Sequence, residues 1–288
     1  MKIKISVDST ADLSTELCER YDIKVIPLCV NLGENLYQDG INITPDDIYN
    51  YVATTKQLPK TSAVNMETYK QTFADIFDSG YDAIIHFNLS SEMSVTHQNA
   101  KMLTEEFKNL YVIDSKTLST ATALQAIYAS ELVKQDKWTA EEIVEKVEKR
   151  KEFAQASFVL DKLDYLHKGG RCSMVALLSA SILGIKPSIE VHNGKMGVGK
   201  KYMGKYDKCV MKYVRDILER YNDPDYTRIF ITHTKTDNSN IENVKQYIKE
   251  NTKFKEILET TAGSTITSHC GSNTIGILFY TDGNENHY

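Results

Sequence analysis

Four short polar stretches of this chain carry groups that could hold an anion. They are Thr61-Ser62, the Ser91 to Thr96 loop with its hydroxyls Ser91, Ser94 and Thr96 beside Ser90, the turn Gly169-Gly170-Arg171, and the pair Ser268-His269. Hydroxyl donors, a permanently charged guanidinium and an imidazole together suit a carboxylate or a phosphate. Each stretch also has a purely local explanation as a helix cap, a turn, a solvated charge or a core histidine. The chemistry therefore depends on whether folding gathers the four.

Other chemistries leave little trace. The chain has no G-x-x-x-x-G-K-[ST], no G-x-G-x-x-G after a strand, no H-E-x-x-H and no G-x-S-x-G. Gly197-Val198-Gly199 is too short a match for dinucleotide binding. The seven histidines are dispersed, without the spacing of a helical metal site, so no metal is expected. A serine-dependent lipid hydrolase, with Ser94 as nucleophile and His269 as base, stays open as a second reading. It requires that pair within hydrogen-bond reach and a third group to orient the base.

The elements that must position these residues follow from the apolar pattern. Ala83 to Ala100 opens as a strand (Ile84, Ile85, Phe87, Leu89) and ends in a polar helix, with the hydroxyl loop between them. Lys2, Lys4 and Ser6 alternate with Ile3, Ile5 and Val7 in a first strand. A turn at Asp8 to Ser14, a helix over Thr15 to Tyr21 and a strand over Ile23 to Val30 are expected next. Asn31 to Gly40 reads as a polar connection. Thr44-Pro45-Asp46-Asp47 starts a helix by its cap and first-turn acids. Leu58 to Asn65 reads as a loop, and Tyr69, Phe73, Ile76 and Phe77 mark a helix face. A strand over Leu110 to Ile113 and helices over Ser119 to Val133 and from Thr139 to about Phe153 complete the first part. Such alternation predicts a mostly parallel sheet flanked by helices, with ligands at the strand ends.

The second part has another grain. Phe158 to Leu160 is a short apolar strand, Leu166 to Ser173 a turn, and Met174 to Leu183 an apolar buried helix. Ser188 to Val191 enters a hairpin at His192 to Lys195. Ile229 to Thr234 reads as a strand, Ile241, Val244 and Ile248 mark a helix, and Thr265 to Phe279 reads as strand, loop, strand. The expected architecture is α/β in two domains, 1–155 with a mostly parallel sheet and 156–288 with a mixed sheet.

Bulk properties narrow the function classes. A hydrophobic share of 41% and a charged share of 25% in 288 residues are those of a globular protein. A net charge of −5 argues against a nucleic-acid coat. Lys186 to Arg215 nevertheless holds eight basic residues against two acids, a local +6. The amino terminus is a strand pattern rather than a signal sequence, and no apolar run would span a bilayer. Five cysteines without a C-x-x-C pair suit reduced, buried thiols in a cytoplasm.

Several motifs, taken in order, resemble the DegV family of bacterial fatty-acid-binding proteins. They are Val7-Asp8-Ser9-Thr10-Ala11-Asp12-Leu13, Thr61-Ser62, Leu89-Ser90-Ser91 with Ser94 and Thr96, Val112-Ile113-Asp114-Ser115, Leu163 to Arg171, Ile185-Lys186-Pro187, and His269 with Gly271. The resemblance covers nearly the whole chain. It implies two α/β domains, with 156–288 as the lid and lipid-binding half, enclosing one long-chain fatty acid, its acyl chain in an apolar tunnel and its carboxylate at the interdomain end. It implies that Thr61 and Ser94 bond the carboxylate with Ser62 beside them, and that Arg171 and His269 complete the pocket directly or through water. No cofactor is implied beyond the lipid as ligand. Some members serve a separate fatty acid kinase, which the resemblance makes the expected partner and the +6 segment its docking face. The chain departs from the family at Glu92 and Val95, where Gly is common, and an inward Glu92 would repel an anion. It departs also at Ala63-Val64-Asn65, at Ser272-Asn273, and at Met203 and Lys205, where related binding subunits carry Arg.

Overall fold

In the computed structural model, which describes residues 1–172 and 184–283, the chain is an α/β protein built on three sheets. The apolar stretch Met174 to Leu183, read as a buried helix, lies outside the described residues. Four strands form a parallel sheet in the order β2-β1-β6-β7: β1 (Ile3–Asp8), β2 (Ile23–Ile26), β6 (Ala83–Asn88) and β7 (Leu110–Asp114). A three-stranded antiparallel sheet is made of β3 (Cys29–Leu32), β4 (Asn35–Gln38) and β5 (Lys60–Ser62). A six-stranded mixed sheet in the order β10-β9-β8-β13-β11-β12 holds the remainder: β8 (Ala154–Leu160), β9 (Ile185–His192), β10 (Lys195–Met203), β11 (Arg228–His233), β12 (Glu256–Thr261) and β13 (Thr274–Tyr280).

The layers follow from which faces are apolar. Helix α3 (Met66–Asp78) buries Tyr69, Phe73 and Ile76 against one face of the parallel sheet, with Ala100 of α4 (Thr96–Met102) beside them. The opposite face meets α5 (Thr120–Val133), and twelve of its fourteen residues are buried, so it is an internal helix rather than an amphipathic one. Its alanines at 121, 123, 126 and 129 let Ile5 and Val7 of β1 pack on one side and Ala156, Phe230 and Leu278 of the mixed sheet on the other. Helices α8 (Tyr206–Arg220) and α9 (Asn238–Asn251) cover the outer face of the mixed sheet through Tyr213, Val214, Ile217, Ile241, Val244 and Ile248. A central position, covered on both faces, explains why every residue of β6 is buried.

Local signals held where caps and periodicity agree. Thr44 closes a capping box with Asp47 at the start of α2 (Pro45–Thr55), and Thr139 does the same with Glu142 at α6 (Ala140–Arg150). The helix after Asp8 to Ser14 is α1 (Thr15–Tyr21).

Six expectations are corrected. Ile23 to Val30 is two strands, because Pro27 has no N–H for a ladder and the chain leaves the parallel sheet there to begin β3. Asn31 to Gly40 is largely a hairpin, turning at Gly33 (φ +65°). Lys60 to Ser62, read as loop, pairs as β5 with β3. Asp164–Gly169, whose residues from Leu166 onward were expected as a turn, is a helix, α7. Ser264–Cys270, expected as strand, is a helix, α10; β12, which precedes it, was not anticipated. Three thiols are buried, but Cys18 and Cys29 are only half-buried.

Among the described residues no helix is long and apolar enough to cross a membrane.

Candidate functional site

At the carboxyl ends of β1 and β6 lies a cavity of about 550 Å³. Thr61, Ser62, Ser94, Arg171 and His269 all line it, so four of the polar stretches converge. Ser91, Thr96 and Ser268 do not: Ser91 binds Asp114 and Lys116 at the surface, Thr96 is buried against Tyr69, and the Ser268 hydroxyl donates to Ser264 O within its own helix.

Each site residue is held by a different element. Thr61 and Ser62 sit on β5, in register with Val30 and Cys29. The loop bearing Ser94 is anchored from below by Asp8, whose carboxylate accepts the Leu89 N–H at 3.0 Å and the Tyr69 hydroxyl at 2.5 Å. Tyr69 in turn meets Thr96 at 2.7 Å, and the Ser94 hydroxyl accepts the Thr96 N–H at 3.2 Å. From the mixed sheet, Gly194 at the β9–β10 turn accepts the Ser90 hydroxyl at 2.8 Å. Glu92 pairs with Lys195 of that turn at 3.3 Å and does not line the cavity, so its charge is directed away from an anion there.

Arg171 follows α7 across Gly170, whose φ of +70° ends the helix. Its guanidinium donates to Gly169 O at 2.7 Å and to Met93 O at 3.4 Å, and the side chain is exposed at the rim.

His269, on α10, places Nε2 2.8 Å from Thr61 Oγ1. Its other nitrogen, Nδ1, is buried without a partner among the described residues, against Gly169, where any Cβ would collide with the ring. A stranded buried donor is costlier than an unfilled lone pair, so the proton belongs on Nε2 and is donated to Thr61. Burial first, and then the Arg171 charge, push the imidazole down to about 4, so it is neutral at pH 7. Thr61, accepting from His269, has its own hydroxyl proton free to point into the cavity. His269 Nε2 is thus engaged with Thr61, and Ser94 Oγ with a backbone amide; the Ser94–His269 hydrogen bond needed for a hydrolase is not made.

Apart from the hydroxyls of Thr10 and Thr265, the rest of the cavity is mainly apolar, with Leu28, Leu89, Met93, Leu118, Phe158 and Leu166 in its wall. Leu118, Phe158, Ile266 and Cys270 also line a second cavity of about 340 Å³ between α10 and the mixed sheet. Hydroxyls around it are satisfied elsewhere: Thr232 bonds Thr120 and Thr260, Ser157 bonds Tyr213, and Thr234 Oγ1 accepts the Thr274 N–H. That chamber is therefore apolar in effect. Together the two form a polar mouth backed by apolar space.

Sequence reasoning missed Thr10 and Thr265, which line the first cavity, and the carboxylates of Asp12 and Asp39 behind it. The acidic turn Asp8 to Asp12 was the available signal. No group of three or more His, Cys, Asp or Glu among the described residues is arranged for a metal ion.

Comparison with known proteins gives a match to a family model described as "Uncharacterised protein, DegV family" over residues 2–282. A protein of Thermotoga maritima named fatty acid-binding protein is 30% identical over 283 residues, covering 96% of both chains. Among solved structures, a DegV lipid-binding protein from Thermotoga maritima superposes with a TM-score of 0.84 at 27% identity, covering 99% of this chain and 100% of the other. A DegV family protein from Thermus thermophilus, described for its fatty acid binding, superposes with a TM-score of 0.87 at 25% identity, covering 97% and 99%.

Proposed function

This chain belongs to the DegV family, and on that footing we propose that it binds one long-chain fatty acid with the carboxylate at the polar mouth and the acyl chain in the apolar space behind. The observation that carries the reading is the convergence of Thr61, Ser62, Ser94, Arg171 and His269 on one mainly apolar cavity. Thr61 and Ser94 donate hydroxyl hydrogen bonds to the carboxylate, with Ser62 beside them, and Arg171 supplies the compensating charge. His269 acts through Thr61, fixing which way that hydroxyl points. The acyl chain passes Phe158 and Ile266 from the first cavity into the second, and each methylene buried there contributes about 0.8 kcal/mol.

The protein carries and presents its ligand without turnover of its own. Residues 1–155 and 156–288 are the two halves that enclose it. Because Arg171 is exposed, the head group lies near the surface, within reach of a separate ATP-using kinase that converts the carboxylate to an acyl phosphate. Of the +6 segment, Lys186, Lys195 and Lys200 are already paired with Asp161, Glu92 and Asp216. Exposed Lys201, Lys205, Lys208, Lys212 and Arg215 are left as the docking face.

Native mass spectrometry of protein purified from cells tests the reading. One bound mass of a fatty acid per chain is expected; a chain that emerges empty and also fails to take up added palmitate refutes it. Incubation with acyl esters separates carrier from hydrolase: turnover that disappears in Ser94→Ala would restore the enzyme.

A further inference from the structure

The helix that carries His269 does not cap itself. Its N-cap is Gly263, which has no side chain to accept the free amides of the first turn. Those amides are accepted by two carboxylates from the other end of the chain. Asp12 Oδ1 takes the Gly263 N–H at 2.7 Å; Asp39 Oδ1 takes the Ser264 N–H at 2.7 Å and its Oδ2 the Thr265 N–H at 3.2 Å. Both acids are almost wholly buried, and neither forms an ion pair with a Lys, Arg or His among the described residues. When ionised, they are balanced by amides, by the positive end of the helix and by two hydroxyls. Ser119 donates to Asp12 Oδ2 at 2.5 Å, and Ser9 donates to Asp39 Oδ2 at 2.9 Å while accepting the Leu28 N–H.

We propose that Asp12 and Asp39 are the positioning residues of the site, a carboxylate clasp that seats α10 and thereby sets His269 against Thr61. The lever is short. Thr265 and His269 lie four residues apart, one helical turn, and both line the first cavity. A hydrogen bond of 2.8 Å between His269 and Thr61 does not survive a displacement of about 1 Å. Gly263 shows how tightly the clasp is drawn: a Cβ there would stand 3.2 and 3.3 Å from the Asp39 oxygens and 3.4 Å from Asp12 Oδ1. Its φ of −66° is one that alanine adopts freely, so the need for glycine is one of space. Desolvation, opposed by the Ser119 and Gly263 hydrogen bonds and reinforced by Asp39, lifts the Asp12 carboxyl to about 7. Carboxyls so far from their ordinary range collect at functional sites. The clasp also links the turn after β1, Leu28 and the start of α5 to the helix, so one set of side chains holds three walls of the cavity.

Two variants test it. Asp39→Asn turns an acceptor into a donor facing an amide, and Gly263→Ala wedges the clasp open while removing no hydrogen-bonding group. The readout is the imidazole titration of His269 by heteronuclear NMR, assigned by the signal missing from His269→Gln, together with the Kd for palmitate. In both variants the His269 pKa should rise by about two units from near 4 toward that of a solvated imidazole, the other six histidines staying where they are. Palmitate should bind at least about tenfold more weakly. Should Asp39→Asn fail to fold, Gly263→Ala decides alone. A folded variant in which His269 titrates as in the parent chain overturns the clasp. The palmitate arm alone rests on the lipid-binding reading: a parent chain that ignores palmitate sinks that reading, while the His269 titration still judges the clasp.

Discussion

Replacing Asp12 by Asn should abolish a pH dependence of stability that the buried carboxyl imposes. Desolvation raises this carboxyl from 3.8 to about 7. The folded protein therefore keeps the proton up to about pH 7, whereas the unfolded chain releases it near its ordinary value. The folded pKa being the higher, the stabilisation is fully present below the unfolded value and is lost as pH rises through the folded one. With each unit worth about 1.36 kcal/mol, the loss between pH 5 and pH 8 is about 2.7 kcal/mol. That is a large share of the roughly 5 to 15 kcal/mol typical of a folded domain. Asparagine keeps one oxygen for the Gly263 N–H, and its amide can donate to the Ser119 hydroxyl, which accepts as well as it donates. Urea unfolding of both proteins at pH 5, 6, 7 and 8 and constant ionic strength gives the comparison, since other titrating groups largely cancel in the difference. The variant should gain on its parent by about 2.7 kcal/mol between pH 5 and pH 8. A difference that stays flat across that range would refute the argument.

Three further outcomes follow from the same geometry. Arg171 is the only cation among the described residues lining the first cavity, so Arg171→Ala should weaken palmitate binding by roughly 10- to 100-fold in calorimetry; unchanged retention removes it from the site. Ala262→Leu puts a larger side chain into the second cavity and should shift the bound acyl masses seen by native mass spectrometry to shorter chains, at about 0.8 kcal/mol for every methylene displaced. An unaltered mass profile would show that the chain does not run there. Tyr69→Phe deletes a buried hydroxyl that serves Asp8, Asn88 and Thr96 at 2.5, 2.8 and 2.7 Å, and should lower unfolding stability by about 1 to 3 kcal/mol. A loss below a few tenths of that, about 0.3 kcal/mol, would mean the network rearranges freely.

The sequence by itself determined the strand and helix alternation that makes the parallel sheet, because burial on both faces of β6 and one face of α3 is written as local periodicity. Capping at Thr44 and Thr139 was legible for the same reason: the partners lie three residues apart. It also marked Thr61, Ser62, Ser94, Arg171 and His269 as polar islands in apolar surroundings. Only the tertiary structure decided that these islands meet, since Thr61 and His269 are 208 residues apart and nothing local selects that pairing. It decided too that Glu92 turns to Lys195 and away from the cavity. The clearest case is α10, where Thr265, Ile266 and Thr267 favour a strand. The helix forms because the amides of its first turn are received by Asp12 and Asp39, and a stabilising partner more than 200 residues distant leaves no mark on the local pattern.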